Sequence, residues 1–173
     1  MTRGHPTPYP SAVATIVRAT TGDWERYREI RLRALADAPF AFGSTFEQER
    51  ERPEALWRER LANPGGATFL ATDEGRSVGL VSVFFEDVRR AHLVSMWVSP
   101  EARREGIGRT LVDRVIDWAA RNDAVTVELW VTETNRPARE LYERCGFAFT
   151  GRRQPLPSDP TLDELEMRRP APR

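Results

Sequence analysis

One segment restricts the fold more than any other part of the sequence. Residues 96–111 read MWVSPEARREGIGRTL, which predicts a strand, then a turn rich in Arg and Gly, then a helix. Consecutive backbone N–H groups at such a turn, together with the helix N-terminus, form an anion-binding site. Gly106 and Gly108 carry no Cβ that would keep a diphosphate away from the backbone. Three arginines add positive charge around the turn: Arg103, Arg104 and Arg109. Helix N-termini usually favour acidic residues, so this basic first turn indicates a bound phosphate.

Two other phosphate-binding loops are excluded by their spacing. A Walker loop needs a glycine five residues before Gly108 and a lysine directly after it, but the chain has Arg103 and Arg109 there. A dinucleotide-binding loop needs Gly or Ala three residues after Gly108, where the chain has Leu111. From this segment alone, an ordinary basic helix cap stays open as the alternative to a phosphate site.

Composition narrows the functional class. The 173 residues include 26 Lys and Arg against 26 Asp and Glu, and this balance argues against a dedicated nucleic-acid-binding protein. The single cysteine, Cys145, excludes an internal disulfide and a multi-cysteine zinc site. Residues 1–10 lack the apolar stretch of a secretory signal, and the longest apolar run, residues 79–85, is too short to span a bilayer. We therefore expect a cytoplasmic protein without a membrane or nucleic-acid partner.

The order of the predicted elements indicates one domain. Residues 1–12 predict a flexible tail, and residues 13–173 are expected to form a single domain. The predicted strands lie at residues 13–18, 68–72, 78–85, 91–98, 125–131, 147–151 and 165–168. The predicted helices lie at residues 24–36, from Pro53 onwards, at 109–121 and at 137–145. Residues 154–160 contain three prolines and predict a loop.

Two motifs follow each other at a set spacing. The first is R-x-x-G-x-G, at Arg103, Gly106 and Gly108, after a strand that ends V-x-P. The second is ARELYERCGF at residues 138–147, which comes after the strand VTVELWV and Asn135. Together they resemble the acyl-CoA loop and the A-x-x-L-Y-x-x-x-G-F motif of the GCN5-related N-acetyltransferases. The resemblance covers residues 15–168, nearly the whole chain.

The resemblance implies a fold of the α/β class. A central twisted, mixed sheet of about six to seven strands would carry helices on both faces. The strands matching residues 91–98 and 125–131 would be parallel neighbours that splay apart. Unpaired backbone N–H groups in the resulting cleft could pair with the amides of pantetheine, much as a peptide adds to a sheet edge.

The resemblance also implies acetyl-CoA as co-substrate, with no metal. Backbone amides of residues 104–109 would hold the pyrophosphate, and the backbone of Trp97 and Val98 would pair with pantetheine. One N–H there would stabilise the oxyanion, which is typically the largest electrostatic contribution to acyl transfer. Asn135 would bond the pantetheine arm, although a helix-capping role fits it as well. The residues expected at the co-substrate are Met96, Trp97, Val98, Arg103, Arg104, Glu105, Gly106, Ile107, Gly108, Arg109, Thr110, Asn135, Ala138, Tyr142 and Arg144.

Tyr142 is the predicted general acid. The leaving group is a thiolate, and a phenol with a pKa near 10 stays protonated at pH 7 and can donate to it. The alternative is a tyrosine that only packs in the core. A base is also needed, because an amine of lysine-like pKa is mostly protonated at pH 7. The predicted bases are Glu128 and Glu133, with Glu86, Asp87 and His92 as alternatives, whereas Cys145 is expected to be a packed structural thiol.

Four segments are expected to form the acceptor pocket: residues 40–46, the second helix with Trp57 and Arg58, residues 84–90, and residues 154–160. Aromatic side chains beside charges suit a small amine with an apolar body, although Phe40, Phe42 and Phe46 could equally belong to the core. The predicted function is acetyl transfer from acetyl-CoA to a primary amine of a small molecule or an amino-bearing antibiotic. A protein or peptide N-acetyltransferase and a non-catalytic acyl-CoA-binding module are the alternatives, and a homodimer is possible.

Overall fold

The computed structural model describes residues 14–172, so the tail predicted for residues 1–12 lies outside the described residues. The chain forms a seven-stranded mixed sheet in the order β1-β2-β3-β4-β5-β7-β6. The strands are β1 (Thr15–Arg18), β2 (Gly66–Asp73), β3 (Arg76–Asp87), β4 (Arg90–Val98), β5 (Thr126–Thr132), β6 (Ala148–Leu156) and β7 (Asp159–Pro170). The helices are α1 (Trp24–Asp37), α2 (Phe46–Arg50), α3 (Glu54–Ala62), α4 (Ile107–Arg121) and α5 (Arg136–Arg144). The α/β class and the seven strands confirm the prediction.

Helices pack on both faces of the sheet. Leu80 and Val81 are adjacent on β3 and therefore point to opposite faces. Leu80 belongs to a core cluster with Ile30 of α1 and Trp57 of α3, whereas Val81 belongs to a cluster with Leu111 of α4. Each of these side chains is fully buried, which stabilises the fold by about 1.5–3 kcal/mol per large apolar residue. In the described part of the chain, no helix is long and apolar enough to cross a membrane.

The short helix α5 ends as the sequence predicts. Gly146 lies just beyond it with a left-handed φ of 85°. The N–H of Gly146 donates to the carbonyl of Glu143 (2.9 Å), and the N–H of Phe147 donates to the carbonyl of Tyr142 (3.0 Å). These two bonds form a Schellman motif, which needs a residue that tolerates a positive φ. The motif fixes Tyr142 in the last turn of the helix.

Strands β4 and β5 are parallel neighbours for only three residue pairs, from Arg90↔Thr126 to His92↔Glu128. Beyond His92, β4 stays paired with β3, and β5 stays paired with β7 along its whole length. A bulge in β4 holds Ser95 at a positive φ of 59°, where the register with β3 shifts. The two strands therefore part, and a gap opens between them.

The end of the sheet differs most from the sequence prediction. Residues 154–160, expected as a loop, lie mostly within a hairpin of the long strands β6 and β7, which Pro157 and Ser158 connect. Pro155 lies on β6, the edge strand of the sheet, and pairs with Asp163 of β7. The loop prediction is wrong because an edge strand has one side without ladder hydrogen bonds, where a residue lacking an N–H is tolerated.

The segment at residues 40–47, which the sequence predicts to be a loop with three aromatic residues, differs from that prediction. Residues 40–47 contain the start of α2, because Thr45 caps it: the side chain of Thr45 accepts from the N–H of Gln48 (3.2 Å), and the Gln48 side chain accepts from the N–H of Thr45 (3.0 Å). Of the three aromatic residues in this segment, Phe42 is buried but Phe40 is 43% exposed and is not a core residue.

Candidate active site

The gap between β4 and β5 leads toward the turn that precedes α4. From Leu93 to Val98, no described residue of β5 pairs with β4. An unpaired strand edge keeps its N–H and C=O groups available, so it can bind an extended chain that carries amides. Because β4 runs directly into the Arg-Gly turn, the free edge and the turn form one continuous surface.

The turn before α4 presents a row of backbone donors. Arg104 (φ 68°) and Gly106 (φ 81°) are both left-handed. Within residues 14–172, the N–H groups of residues 104–109 have no intramolecular acceptor, and the first helical bond runs from the N–H of Thr110 to the carbonyl of Gly106 (3.1 Å). Such N–H groups at a helix N-terminus bind anions, and the helix dipole favours negative charge there.

The two glycines of the turn serve different purposes. A Cβ on Gly106 would meet no atom within 4 Å, so this residue is needed for its positive φ and leaves open space above the backbone. A Cβ on Gly108 would lie 3.2 Å from Leu141 Cδ2 and 3.4 Å from Met96 Cε. Gly108 therefore allows α4, α5 and β4 to pack closely. For Gly108, this corrects the expectation that its missing Cβ makes room for a diphosphate.

The three arginines of the motif differ in their environment. Arg103 Nη2 donates to Asp37 Oδ2 (2.6 Å), and its Nε donates to the carbonyl of Val98 (2.9 Å), so this guanidinium ties the turn to α1 and β4. Trp97 Nε1 donates to the same Asp37 oxygen (2.9 Å). Arg104 and Arg109 are exposed. Arg103 is exposed as well, but its charge is paired with Asp37 at 2.6 Å, whereas Arg109 makes only a looser contact with Asp113 at 3.7 Å.

Tyr142 lies on α5, and Asn135 caps the start of the same helix. Asn135 Oδ1 accepts a long hydrogen bond from the N–H of Ala138 (3.4 Å), as the capping alternative predicts. The Tyr142 ring is 5% exposed and meets Phe147 edge-on at 5.8 Å. Burial raises the pKa of Tyr142 well above its ordinary value, with a smaller contribution from Cys145, so the phenol stays protonated at neutral pH. Burial also raises the pKa of Cys145, as expected for a packed thiol.

A cavity of about 630 Å³ adjoins the gap. Its walls include the bulged part of β4 at Val94 and Ser95, Trp130 on β5, and Gln154 and Glu164 on β6 and β7. The segment at residues 41–43 and the β6–β7 turn meet over it: Pro157 Cγ would be 3.6 Å from a Cβ on Gly43, and the Ser158 hydroxyl donates to the carbonyl of Phe42. The cavity is thus closed on the hairpin side.

One side of the cavity carries Glu86 and His92, with Glu128 directly behind them. Ligand atoms of these three residues lie within 4.8 Å of one another, which is close enough for a metal ion. However, Glu128 is 3% exposed and its oxygens already accept from Arg168 (2.9 Å) and Arg90 (3.5 Å). Two guanidinium groups neutralise this carboxylate, so the geometry does not favour a cation at this position.

Strand β7 adds two carboxyl groups that the sequence prediction missed. Glu166 is buried and accepts from Arg152 Nη1 (2.7 Å) and the Thr150 hydroxyl (2.6 Å). Within residues 14–172, the only donor to the Glu164 carboxylate is the neutral Gln154 amide (2.5 Å), and burial raises the pKa of Glu164 above its ordinary value. The sequence signal is the alternation of acidic and apolar residues at positions 164–167, but these acidic residues become candidates for the site only once β7 is known to lie beside β5.

The structure brings some of the predicted pocket residues together around the cavity. Phe42, Glu86 and Gln154 line the cavity as expected. Trp57 and Arg58 do not, which corrects the prediction for the second helix: Trp57 is fully buried in the core, and Arg58 lies over the ring of Trp24.

Glu133, a predicted base, does not line the cavity. Its carboxylate accepts from Arg153 Nη1 (2.8 Å). Asp87 lies at the exposed end of β3, where it accepts from Arg90 Nε (2.5 Å). Neither carboxylate is placed to take a proton from a ligand in the cavity.

Known proteins share both the sequence and the fold. A mycothiol acetyltransferase of Beutenbergia cavernae is 29% identical over 130 residues, which cover 74% of this chain but only 42% of that protein. A nourseothricin acetyltransferase structure is 30% identical, with a TM-score of 0.59, over 64% of this chain and 68% of the other. The ribosomal-protein-S18-alanine N-acetyltransferase of Escherichia coli shares the fold, with a TM-score of 0.70 at 22% identity, over 92% of this chain and 95% of the other.

The chain also matches the sequence model of a protein family. The match covers residues 24–147, which contain the Arg-Gly turn, the parted strands and α5. That range is well over half of the chain, and it includes both motifs on which the resemblance was based. The chain therefore belongs to the acetyltransferase (GNAT) family.

Proposed function

We propose that this protein transfers an acetyl group from acetyl-CoA to a primary amine of a small molecule. The observation that carries the proposal is the free edge of β4 beyond His92, which connects the N–H-lined turn to the cavity. In this arrangement the turn binds the pyrophosphate, the strand edge binds pantetheine, and the cavity holds the amine. Acetyl-CoA supplies the activated acetyl group as a thioester.

The co-substrate site fits a diphosphate ester. Six consecutive amides at residues 104–109 are free within the described chain, and open space lies above Gly106. The exposed side chains of Arg104, Arg109 and Arg144 can pair with further phosphate groups. Backbone groups of residues 96–98 lie along the gap, where one N–H would polarise the thioester carbonyl. Asn135 can cap α5 and also reach a pantetheine amide with its NH2 group.

Tyr142 is proposed as the general acid that protonates the departing sulfur. Its raised pKa keeps the proton on the phenol until a thiolate develops nearby, since a buried phenolate would be costly. Within residues 14–172 the Tyr142 hydroxyl makes no hydrogen bond, and its oxygen is not among the fully buried unpartnered atoms, which leaves it available to the sulfur. The Schellman motif at Gly146 and the contact with Phe147 hold the ring in place.

The charges around the cavity favour a cationic acceptor. Each cavity arginine already has an acidic partner: Arg31 pairs with Glu49, Arg90 with Asp87, and Arg152 with Glu166. Glu86 and Glu164 have no guanidinium partner within the described residues. The remaining charge of the cavity is therefore negative, which suits an ammonium group.

A small acceptor is favoured over a peptide because the hairpin closes the cavity at Pro157 and Ser158. The similarity to a nourseothricin acetyltransferase, at 30% identity, points in the same direction, since its name states an antibiotic substrate. We therefore include amino-bearing antibiotics among the acceptors to be tested.

The test measures thiol release from acetyl-CoA with a panel of small primary amines, amino-bearing antibiotics and N-terminal peptides. Calorimetry with CoA is run in parallel. Thiol release that depends on a small amine supports the proposal, and preference for peptides refutes the small-molecule assignment. Binding of CoA without turnover of any amine would instead identify a non-catalytic acyl-CoA-binding module.

A further inference from the structure

The two ring nitrogens of His92 lie in different surroundings. Nδ1 is buried, has no hydrogen-bond partner within residues 14–172, and lies 3.8 Å from Glu86 Oε2 and 4.0 Å from Glu128 Oε1. Nε2 makes no hydrogen bond within the described residues and is not fully buried, and His92 lines the cavity. Nδ1 therefore faces two carboxylates, whereas Nε2 keeps some exposure on a residue that borders the cavity.

The surroundings hold the imidazole in this orientation. The side chain is 11% exposed, and its ring lies 5.4 Å from the ring of Phe84. Glu128 is itself held by Arg90 and Arg168, so the carboxylate behind Nδ1 cannot rotate freely. A carboxylate next to Nδ1 favours the tautomer with the proton on Nδ1, which leaves a lone pair on Nε2.

We propose that His92 is the general base of this enzyme and that Glu128 and Glu86 are its positioning residues, an inference that rests on the proposed acetyl transfer. Nε2 takes one proton from the acceptor ammonium and leaves a neutral amine. The amine lone pair forms the C–N bond to the acetyl carbon, the C–S bond breaks, and Tyr142 gives its proton to the sulfur. The new amide nitrogen loses its extra proton, which restores the Tyr142 phenol, and the imidazolium releases its proton to solvent.

The charges around His92 are compatible with this role at neutral pH. Burial lowers the pKa of His92, and although Glu86, Glu128 and Glu166 act to raise it, the net pKa stays below the ordinary value. Arg90, on the same strand, adds to the lowering. Neutral imidazole therefore predominates at pH 7 and can accept a proton. Hydrogen bonds between catalytic partners are often long before substrate binds and shorten in the substrate complex.

Other carboxylates near the cavity are less suited to be the base. Both oxygens of Glu128 accept from guanidinium groups, and Glu166 is held by Arg152 and Thr150. Glu164 is the carboxyl that competes most directly, because the Gln154 amide is its only hydrogen-bond partner in the part of the chain that the structure describes. Glu164→Gln is therefore the matched control for a substitution at His92.

The kinetic test compares His92→Gln with wild type on two groups of amines at pH 7. For alkyl amines with a pKa near 10, only about one molecule in 10³ is neutral, and we expect kcat to fall roughly 10²- to 10⁴-fold. For amines with a pKa below about 6, which arrive already neutral, we expect kcat to change less than about threefold. Glu164→Gln should change KM and leave the dependence of kcat on amine pKa as in wild type. Equal losses for both groups of amines, or a loss below threefold for both, would overturn the inference.

A spectroscopic test does not depend on turnover. The chain has only two histidines, so His5→Gln leaves His92 as the single imidazole. We expect its ¹⁵N NMR signals to show the Nδ1–H tautomer and a pKa below about 6.5, and Glu128→Asp should change both. An Nε2–H tautomer would contradict the proposal even if His92→Gln failed to fold. Wild-type protein that acetylates no amine would refute the proposed function, while the tautomer would still decide the role of His92.

Discussion

The buried carboxylate of Glu49 offers the sharpest test of the energetics of the fold. Glu49 is 0% exposed, and it accepts from Arg31 Nη2 (3.0 Å), Arg31 Nε (3.2 Å) and Arg60 Nη1 (3.1 Å). The Ser44 hydroxyl also donates to it. Glu49→Gln keeps the shape of the side chain but removes the charge that compensates two guanidinium groups. Since Arg31 forms part of the cavity wall, this ion pair connects stability to the site.

The expected loss of stability is large because Arg31 is also buried, with 6% of its side chain exposed. Removing one partner of a buried ion pair costs about 3–5 kcal/mol, since the other charge stays buried without compensation. For a chain of this length, the melting temperature should fall by roughly 6–20 °C. The matched control is Glu51→Gln: Glu51 pairs with Arg50 at 2.8 Å but is 74% exposed, so its loss should cost no more than about 1 kcal/mol.

The contribution of Glu49 should also depend on pH. Burial by itself would raise the pKa of Glu49, but the hydrogen bonds and charge of Arg31, with help from Ser44 and Arg60, outweigh it and leave the pKa lowered. A lowered folded-state pKa adds stability that is complete above the unfolded value of about 4.3 and is lost as the pH falls through the folded value. Thermal unfolding of wild type and both variants at pH 7, 5 and 4 checks this. Equal melting temperatures for the two variants at pH 7 would refute the reasoning.

Four further outcomes are expected. Tyr142→Phe should lower kcat roughly 10²-fold or more with CoA affinity unchanged in calorimetry, because the ring packing is kept and only the donor is lost. Glu164→Gln should raise KM for cationic amines roughly 10- to 100-fold, the effect of one charge-assisted hydrogen bond, and should raise the melting temperature at pH 7, because a carboxyl with a raised folded-state pKa destabilises the fold above that pKa. Gly106→Ala and the control Gly75→Ala (φ 81° and 82°, both in open space) should each cost about 1 kcal/mol in thermal unfolding, but only Gly106→Ala should weaken CoA binding. Ser95→Val should destabilise by about 1–2 kcal/mol, despite the high strand propensity of valine, because a β-branched residue is strained at a φ of 59°.

The sequence predicted the parts of the site whose geometry is set locally. The Arg-Gly turn, α4 and the Gly146 cap depend on residues within a few positions of one another, and a positive φ at Gly106 or Gly146 is a property of that residue alone. The prediction therefore placed the Arg-Gly turn before α4, and Tyr142 on α5, where the structure has them.

The contents of the cavity could not be predicted in this way because they depend on strand register. Glu128 stands opposite Arg168, and Trp130 stands opposite Glu166, across the β5–β7 ladder. These partners are separated by 40 and 36 residues along the chain. The three prolines in residues 154–160 predict a loop rather than a long hairpin. The sequence therefore does not indicate that Glu164 and Glu166 lie at the site.

The gap between β4 and β5 is maintained by strand pairing outside the site. Strand β5 is paired with β7 from Thr126 to Thr132, and β4 is paired with β3 on both sides of the Ser95 bulge. Each strand follows the neighbour on its far side, so closing the gap would require one of these two ladders to bend toward the other. The donors on the β4 edge are therefore kept unpaired without any ligand, and little reorganisation is needed when a chain of amides binds there. Because its free N–H groups are already in place, we expect the cleft to stabilise the oxyanion of the proposed transfer by preorganisation.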